Sequence, residues 1–404
     1  MASRVSSVVT RTALATGLVM APIGLVQQLA PSAASATAGC SAPNTTLLTH
    51  RPTVTKLPHG GTLNVWDNHA SGYSALRITQ VVVPPSSALH LTVFTAGALT
   101  RAKSPAEGIK SHPNVVAVSN GDVFDPIRGS LPVGDEVLNG SIVKGEREIQ
   151  NTVSVGRDGH SYPGHIQLYG HVTAGGRKAS ISGLNWQAVV GSGINVYATP
   201  WGDEHRPYGD VDVVVRNGTV RAVRHGAARG RPPTDGAQIL TGFGAAASFL
   251  DNLRVGEAVT VKYGFTAFGY MPRDHVGKVE FAVHRGTPYW FRGGKWPVDC
   301  DARDEMLRPR TAIGWTRTGV MMMVAVSGRV TAGGTPFGGS TVHNMQYYLG
   351  VLENKYGGRS DAEAMDGGTS TTLDIRQRID GSIIRVDRPG ADQRHVPNFL
   401  ALIP

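Results

Sequence analysis

Apolar residues in this chain come in short runs, and most runs are closed within a few residues by glycine, proline or an Asn-Gly pair. Such runs build strands more readily than long helices. Leu89, Leu91 and Val93 alternate with His90, Thr92 and Phe94, the pattern of one strand. Residues 211–215 and 220–223 flank Asn217-Gly218, the signature of a two-residue hairpin turn. Residues 279–283 and 289–291 flank 285–288 and predict a second hairpin. The 51 glycines in 404 residues, nearly twice the usual ~7%, fit a turn-rich chain, and they lack the three-residue period of collagen. Three segments read as helices. Ser104-Pro105-Ala106-Glu107 carries a cap, a proline at the first helical position and a capping-box glutamate. Residues 244–253 are alanine-rich. In 341–356, Val342, Met345, Leu349, Leu352 and Tyr356 form one apolar stripe, stopped by Gly357-Gly358. The expected fold class is α+β, with mixed sheets of short strands and a few packed helices.

The net charge is +9, or +7 once Arg4 and Arg11 are set aside (37 − 30). The basic clusters at 101–110 and 221–231 are short and have no interleaved aromatic residues, which argues against nucleic-acid binding. Arg4 and Arg11, an apolar run over 13–30 and Ala34-Ser35-Ala36 predict an export signal over 1–36 and a secreted protein. Pro22, Gly24, Gln27 and Gln28 interrupt the run, so no stable membrane insertion is expected. Lipidation at Cys40 is disfavoured by Thr37 where a leucine is expected. In an oxidising compartment the two cysteines, Cys40 and Cys300, are expected to form a disulfide. They offer no zinc site, and Asp361, Glu363 and Asp366 lack the spacing of a calcium loop, so no metal or cofactor is called for.

Three strings carry chemistry. An apolar run over 115–118 leads to Asn120-Gly121-Asp122-Val123-Phe124, presenting an amide and a carboxylate at a strand end unless Asn-Gly is simply a turn. Arg310-Thr311-Ala312-Ile313-Gly314 precedes a methionine-rich core strand and the turn Ser327-Gly328-Arg329. Arginine offers a fork of donors suited to phosphate or carboxylate. Finally, Asp366-Gly367-Gly368-Thr369-Ser370-Thr371 sets a carboxylate, flexible backbone amides and hydroxyls close together.

In this order and spacing, the strings resemble the phosphodiester glycosidases, over roughly residues 76–404. Residues 134–140, Ile194-Asn195-Val196-Tyr197 and the closing segment 394–402 add to the likeness. The resemblance implies a phosphodiester-glycosidase-like domain over 76–404, preceded by an N-terminal extension over 37–75. It implies hydrolysis at the anomeric carbon of a sugar-1-phosphodiester, giving free sugar and a phosphomonoester, with a phosphorylated carbohydrate or glycopolymer as substrate. In that reading Asp366 and Asp122 are the carboxylate pair. Arg310 binds phosphate, helped by Arg329 and the amides of Gly367 and Gly368. Asn120, Thr311, Thr369, Ser370 and Thr371 contact the substrate. Ser327 stands where the family often has aspartate, Thr369 replaces a third glycine, and Asn344 sits near a usual glutamate. The alternatives are a catalytically inactive carbohydrate-binding protein of the cell envelope and a serine hydrolase using Ser370, although no Gly-x-Ser-x-Gly surrounds that serine. His343 lies off the apolar stripe and is expected to be solvated.

Overall fold

The computed structural model describes residues 45–70, 74–188, 193–226, 230, 236–268, 279–284, 289–291, 293–295, 306–330, 336–377, 380–388 and 392–404. The expected export signal over 1–36, Cys40 and Cys300 lie outside these residues. So does the side chain of Arg329, whose backbone pairs with Phe337.

Strands dominate. A seven-stranded antiparallel sheet runs, edge to edge, through Thr53–Lys56, Thr62–Asp67, Arg77–Val83, Met321–Ser327, Arg310–Thr316, Arg359–Ala364 and Tyr289–Phe291. Because residues 53–67 are strands of this sheet, hydrogen-bonded onward to Arg77–Val83, they are not a separate extension. The methionine run sits in the middle of the sheet and is covered on both faces. Met321 and Met323 point into one core and Met322 into another, which is why this strand reads as one unbroken apolar stretch.

On one face lies the long helix, Val342–Asn354, capped by the Thr341 hydroxyl accepting from the Asn344 amide. Val342, Met345, Leu349 and Leu352 pack on Ala312, Met322 and Val324 of the sheet. The helix is covered beyond this stripe, with Gln346, Tyr348 and Glu353 also buried. His343 is 9% exposed and sits edge-on to Tyr347, so it is not the solvated histidine expected from its place off the stripe.

On the other face lies a five-stranded antiparallel sheet in the order Ile383–Arg385, Leu373–Arg376, Ala117–Asn120, Asn398–Ile403 and His90–Thr95. Leu91, Val93, Leu373, Leu400 and Leu402 share one core with Val81, Ile313 and Met323 of the first sheet. The third and largest sheet has eleven strands. Six of them, Arg177–Leu184, Ser141–Glu146, Glu136–Leu138, Val279–His284, Gln150–Gly156 and Ser161–Ala174, close into a ring.

The Asn217-Gly218 hairpin forms as expected, with φ of 49° and 70° at its two central residues. The second expected hairpin does not. Val279–His284 pairs with strands of the large sheet, whereas Tyr289–Phe291 pairs with Arg359–Ala364 of the seven-stranded sheet. Alternating apolar runs mark both strands but do not specify which sheet each joins. The change of sheet places His284 at the end of its strand.

Candidate active site

The site is built where the five-stranded sheet, the large sheet and the 366–371 turn meet. Asn120 ends the central strand of the five-stranded sheet, in register with Phe399. Asn-Gly is not a positive-φ turn here. Gly121 is required by close packing, since a Cβ at that position would come within 2.2 Å of Asn398 Oδ1. The Gly121 amide donates to the Asn398 carbonyl (3.1 Å) and the Asp122 amide to Asn398 Oδ1 (2.8 Å), so one asparagine fixes the backbone that carries Asp122.

The Asp122 carboxylate is 1% exposed. Its Oδ1 lies 3.1 Å from His284 Nδ1, and its Oδ2 accepts a long bond from the Gly134 amide (3.4 Å). The imidazole packs so closely on Gly134 that a Cβ there would lie 2.1 Å from the ring. Behind this pair is a group of buried charges. Lys144 is fully buried, donates to the carbonyls of Val133 (3.2 Å) and Gly134 (3.0 Å), and lies 3.5 Å from the centre of the Trp186 ring. Glu136 accepts from Asn398 Nδ2 (3.1 Å), and Asp135 from the Glu146 amide (3.1 Å). Desolvation lifts Asp135 well above the carboxylate range and Glu136 to about 7, and it lowers Lys144 to about 7 against the pull of the surrounding carboxylates. Lys144 thereby holds the Val133–Gly134 backbone against Asp122.

Asp366 arrives from the other side, two residues beyond the Arg359–Ala364 strand. Its amide donates to the Gly121 carbonyl (3.1 Å), and its carbonyl accepts from Asn120 Nδ2 (2.7 Å). The two aspartate-bearing segments are thus bonded directly to each other. Burial raises Asp366 to about 6. The Ser370 hydroxyl, the Gly367 amide (2.9 Å) and the charge of Arg394 pull it down, and the charge of Asp122 pushes it up. Arg394 Nη1 donates to Thr369 Oγ1 (2.9 Å) and Ser370 Oγ (3.3 Å), and its guanidinium lies 4.7 Å from the Phe124 ring centre. Arg394 is therefore the cation at the open side of the turn.

Several residues expected to touch substrate instead hold the site together. Asn120 is fully buried, and its Oδ1 accepts from the Thr311 hydroxyl (2.9 Å) and the Thr372 amide (3.0 Å). Asn120, Thr311 and the Asp366 backbone form one internal clamp. The amides of Gly367 and Gly368 are directed at Asp366 Oδ1 and the Pro309 carbonyl (2.8 Å), not outward at an anion. Thr371 is fully buried, and its carbonyl accepts from Arg385 (2.6 Å) and Arg388. Both arginines are in turn paired with the buried Asp387 (3.0 and 3.1 Å). Ser327 donates to the Asp387 carbonyl (2.7 Å), bracing the same support. Arg310 binds the Ser340 carbonyl through Nε (2.9 Å) and the Met306 carbonyl through Nη2 (3.3 Å), and it remains partly exposed beside the turn. Among the described residues, no group of three His, Cys, Asp or Glu side chains is placed to hold a metal ion. No helix among them is long and apolar enough to cross a membrane.

Sequence reasoning missed His284, Arg394, Lys144 and Glu136 as individual residues. The signals were faint: His284 ends a strand assigned to the wrong partner, Glu136 and Arg394 fall in segments noted only for a general likeness, and Lys144 falls in none of them.

Residues 209–403 match the family model of the phosphodiester glycosidases. Over that span, just under half of the chain, the sequence resembles a phosphodiester glycosidase domain. The matched span contains His284, Arg310, Asp366 and Arg394, while Asn120 and Asp122 precede it. No curated protein matches the chain. Among solved structures, a hypothetical protein from Synechocystis is similar with a TM-score of 0.67 at 20% identity, over 87% of this chain and 64% of that one. A protein from Burkholderia pseudomallei K96243 is similar with a TM-score of 0.60 at 18% identity, over 82% of this chain and 74% of that one. Both share the fold. The catalytic domain of zebrafish N-acetylglucosamine-1-phosphodiester alpha-N-acetylglucosaminidase, auto-inhibited by its pro-peptide, aligns at a TM-score of 0.44 and 12% identity, over 90% of this chain and 94% of that one.

Proposed function

We propose that this chain is an exported glycosidase that hydrolyses a sugar-1-phosphodiester at the anomeric carbon, releasing free sugar and a phosphomonoester. The observation that carries the reading is the direct bonding of the Asp366 and Asp122 segments, which brings two carboxylates into one electrostatic unit with a histidine and an arginine. A carboxylate held near 6 is still mostly ionised at neutral pH and is basic enough to take a proton from water. In this mechanism Asp366 takes the proton of the attacking water while the bond between the anomeric carbon and the phosphate oxygen breaks. The leaving phosphate is weakly basic, so the demand for a general acid is lower than in an ordinary glycoside. Arg394, assisted by Arg310, holds the phosphate. Asp122 orients His284 and offsets positive charge developing on the sugar ring.

The test is release of free sugar from a panel of sugar-1-phosphodiesters by the wild-type protein and Asp366→Asn. Turnover by the wild type alone supports the reading. Binding without turnover on every member would favour a non-catalytic carbohydrate binder.

A further inference from the structure

We propose that the cleft between the outer edges of the seven-stranded and five-stranded sheets is a binding site for a fatty carboxylate, its hydrocarbon chain on the cleft floor and its head at the rim. The inference is independent of the reading of function above and uses none of the residues placed in that site. The cleft has a volume of about 690 Å³, within the ~300–1,000 Å³ range of small-molecule sites. Its floor is the end of the core that the two sheets share, with Leu57, Leu63 and Val65 on one side and Ile375, Ile384 and Val386 on the other. The sheets are tied where the Val386 carbonyl accepts from Arg77 Nε (2.8 Å). Arg77 lies on the third strand from the edge. Among the described residues, no hydrogen bond joins the two strands outside it, Thr62–Asp67 and Thr53–Lys56, to the five-stranded sheet.

The outermost strand marks this as an opening and not a loosely packed stretch of core. Thr53 and Thr55 stand in register with Val65 and Leu63 and share their face, while Val54 points the other way and is 57% exposed. Hydroxyls thus occupy positions where a closed core would take apolar side chains. Charge selects the ligand. Arg51 and Lys56 are exposed at the rim, and among the described residues neither side chain has a hydrogen-bond or ion-pair partner. Asp67 is the one carboxylate among the residues lining the cleft, and Arg77 binds it at 2.7 Å. Arg376 is engaged by the carbonyls of Val115 (3.0 Å) and Gly381 (2.8 Å). The uncompensated charge is therefore that of Arg51 and Lys56, beside the hydroxyls of Thr53 and Thr55 and above an apolar floor. A hydrocarbon chain with a carboxylate head satisfies all three. Residues 1–44 contain no Asp or Glu, so the chain's own N-terminal segment does not supply the complementary charge. A bilayer surface fits less well, because Leu57, Leu63 and Ile375 are buried at the bottom of a cleft and do not protrude.

The test is calorimetric titration of the full chain with monomeric dodecanoate, with dodecyltrimethylammonium and with phosphatidylglycerol vesicles. The proteins compared are the wild type, the double variant Arg51→Ser/Lys56→Ser, Ile384→Ser, and Arg221→Ser/Arg224→Ser as a control outside the cleft. The expected result is one dodecanoate bound per chain, at least about tenfold more tightly than the cation of equal chain length. The Arg51/Lys56 variant should lose about that tenfold advantage, Ile384→Ser should also bind more weakly, and the Arg221/Arg224 variant should match the wild type. If Ile384→Ser fails to fold, the Arg51/Lys56 variant, which changes exposed side chains alone, decides the matter. No saturable binding, equal affinity for the two amphiphiles, or an equal loss in the Arg221/Arg224 variant would overturn the site. Vesicle binding that depends on Arg51 and Lys56, without binding of monomeric dodecanoate, would also overturn it and assign this face to a membrane surface.

Discussion

The Asp366 turn and the Asp122 pocket each present one carboxylate, but they are built in opposite ways. The turn is local: Asp366, Gly367 and Ser370 are near neighbours in sequence, and Arg394 is the principal distant contributor. The pocket is assembled from residues 122, 134, 136, 144, 284 and 398, drawn from two sheets and the segments between them. A carboxylate carried on a short turn can sit at an opening and exchange protons. One held by a buried lattice is fixed in place. The difference suggests a division of labour, with Asp366 handling the proton and Asp122 the geometry and charge.

Four changes would break or sharpen that division. Asp366→Asn should lower kcat by about 10²–10⁴-fold with little loss of stability. In the wild type, kcat should fall about tenfold per unit below pH ~6, because protonating Asp366 removes the base. Lys144→Met should act mainly on folding. Removing Lys144 takes the donor from the buried Val133 and Gly134 carbonyls and the partner from the carboxyl groups around it, and costs about 3–5 kcal/mol in urea denaturation. That deficit should grow from pH 5 to pH 8, as the raised carboxylates become ionised. His284→Gln should reduce kcat about 10²-fold while leaving the melting temperature close to wild type, since the ring lies at the edge of the buried group. Arg394→Lys should raise KM about tenfold, or ~1.4 kcal/mol, with a smaller change in kcat. An equal stability loss in Asp366→Asn and Lys144→Met would erase the contrast between the two regions.

The same contrast explains what was legible in the sequence. Short apolar runs predicted the strands, the Asn217-Gly218 hairpin and the packed stripe of the long helix, because each depends on residues close together in the chain. Asp366 stood out for the same reason. Sheet membership was not legible: Val279–His284 and Tyr289–Phe291 carry similar patterns yet join different sheets, so the histidine delivered by that change of sheet was missed. Asn120 and Thr311 were recognised as belonging to the site but assigned to substrate. Only the burial of both side chains and the bond between them show that they clamp two strands. Lys144 and Glu136 read as ordinary charges on short strands, and burial is what gives them meaning.

The most direct test of the account is hydrolysis of a sugar-1-phosphodiester in water enriched in oxygen-18, with both products examined by mass spectrometry. Attack at the anomeric carbon, with Asp366 activating the water, places the heavy oxygen in the free sugar and leaves the phosphomonoester unlabelled. Label appearing in the phosphomonoester instead would mean that water attacks phosphorus and would contradict the mechanism.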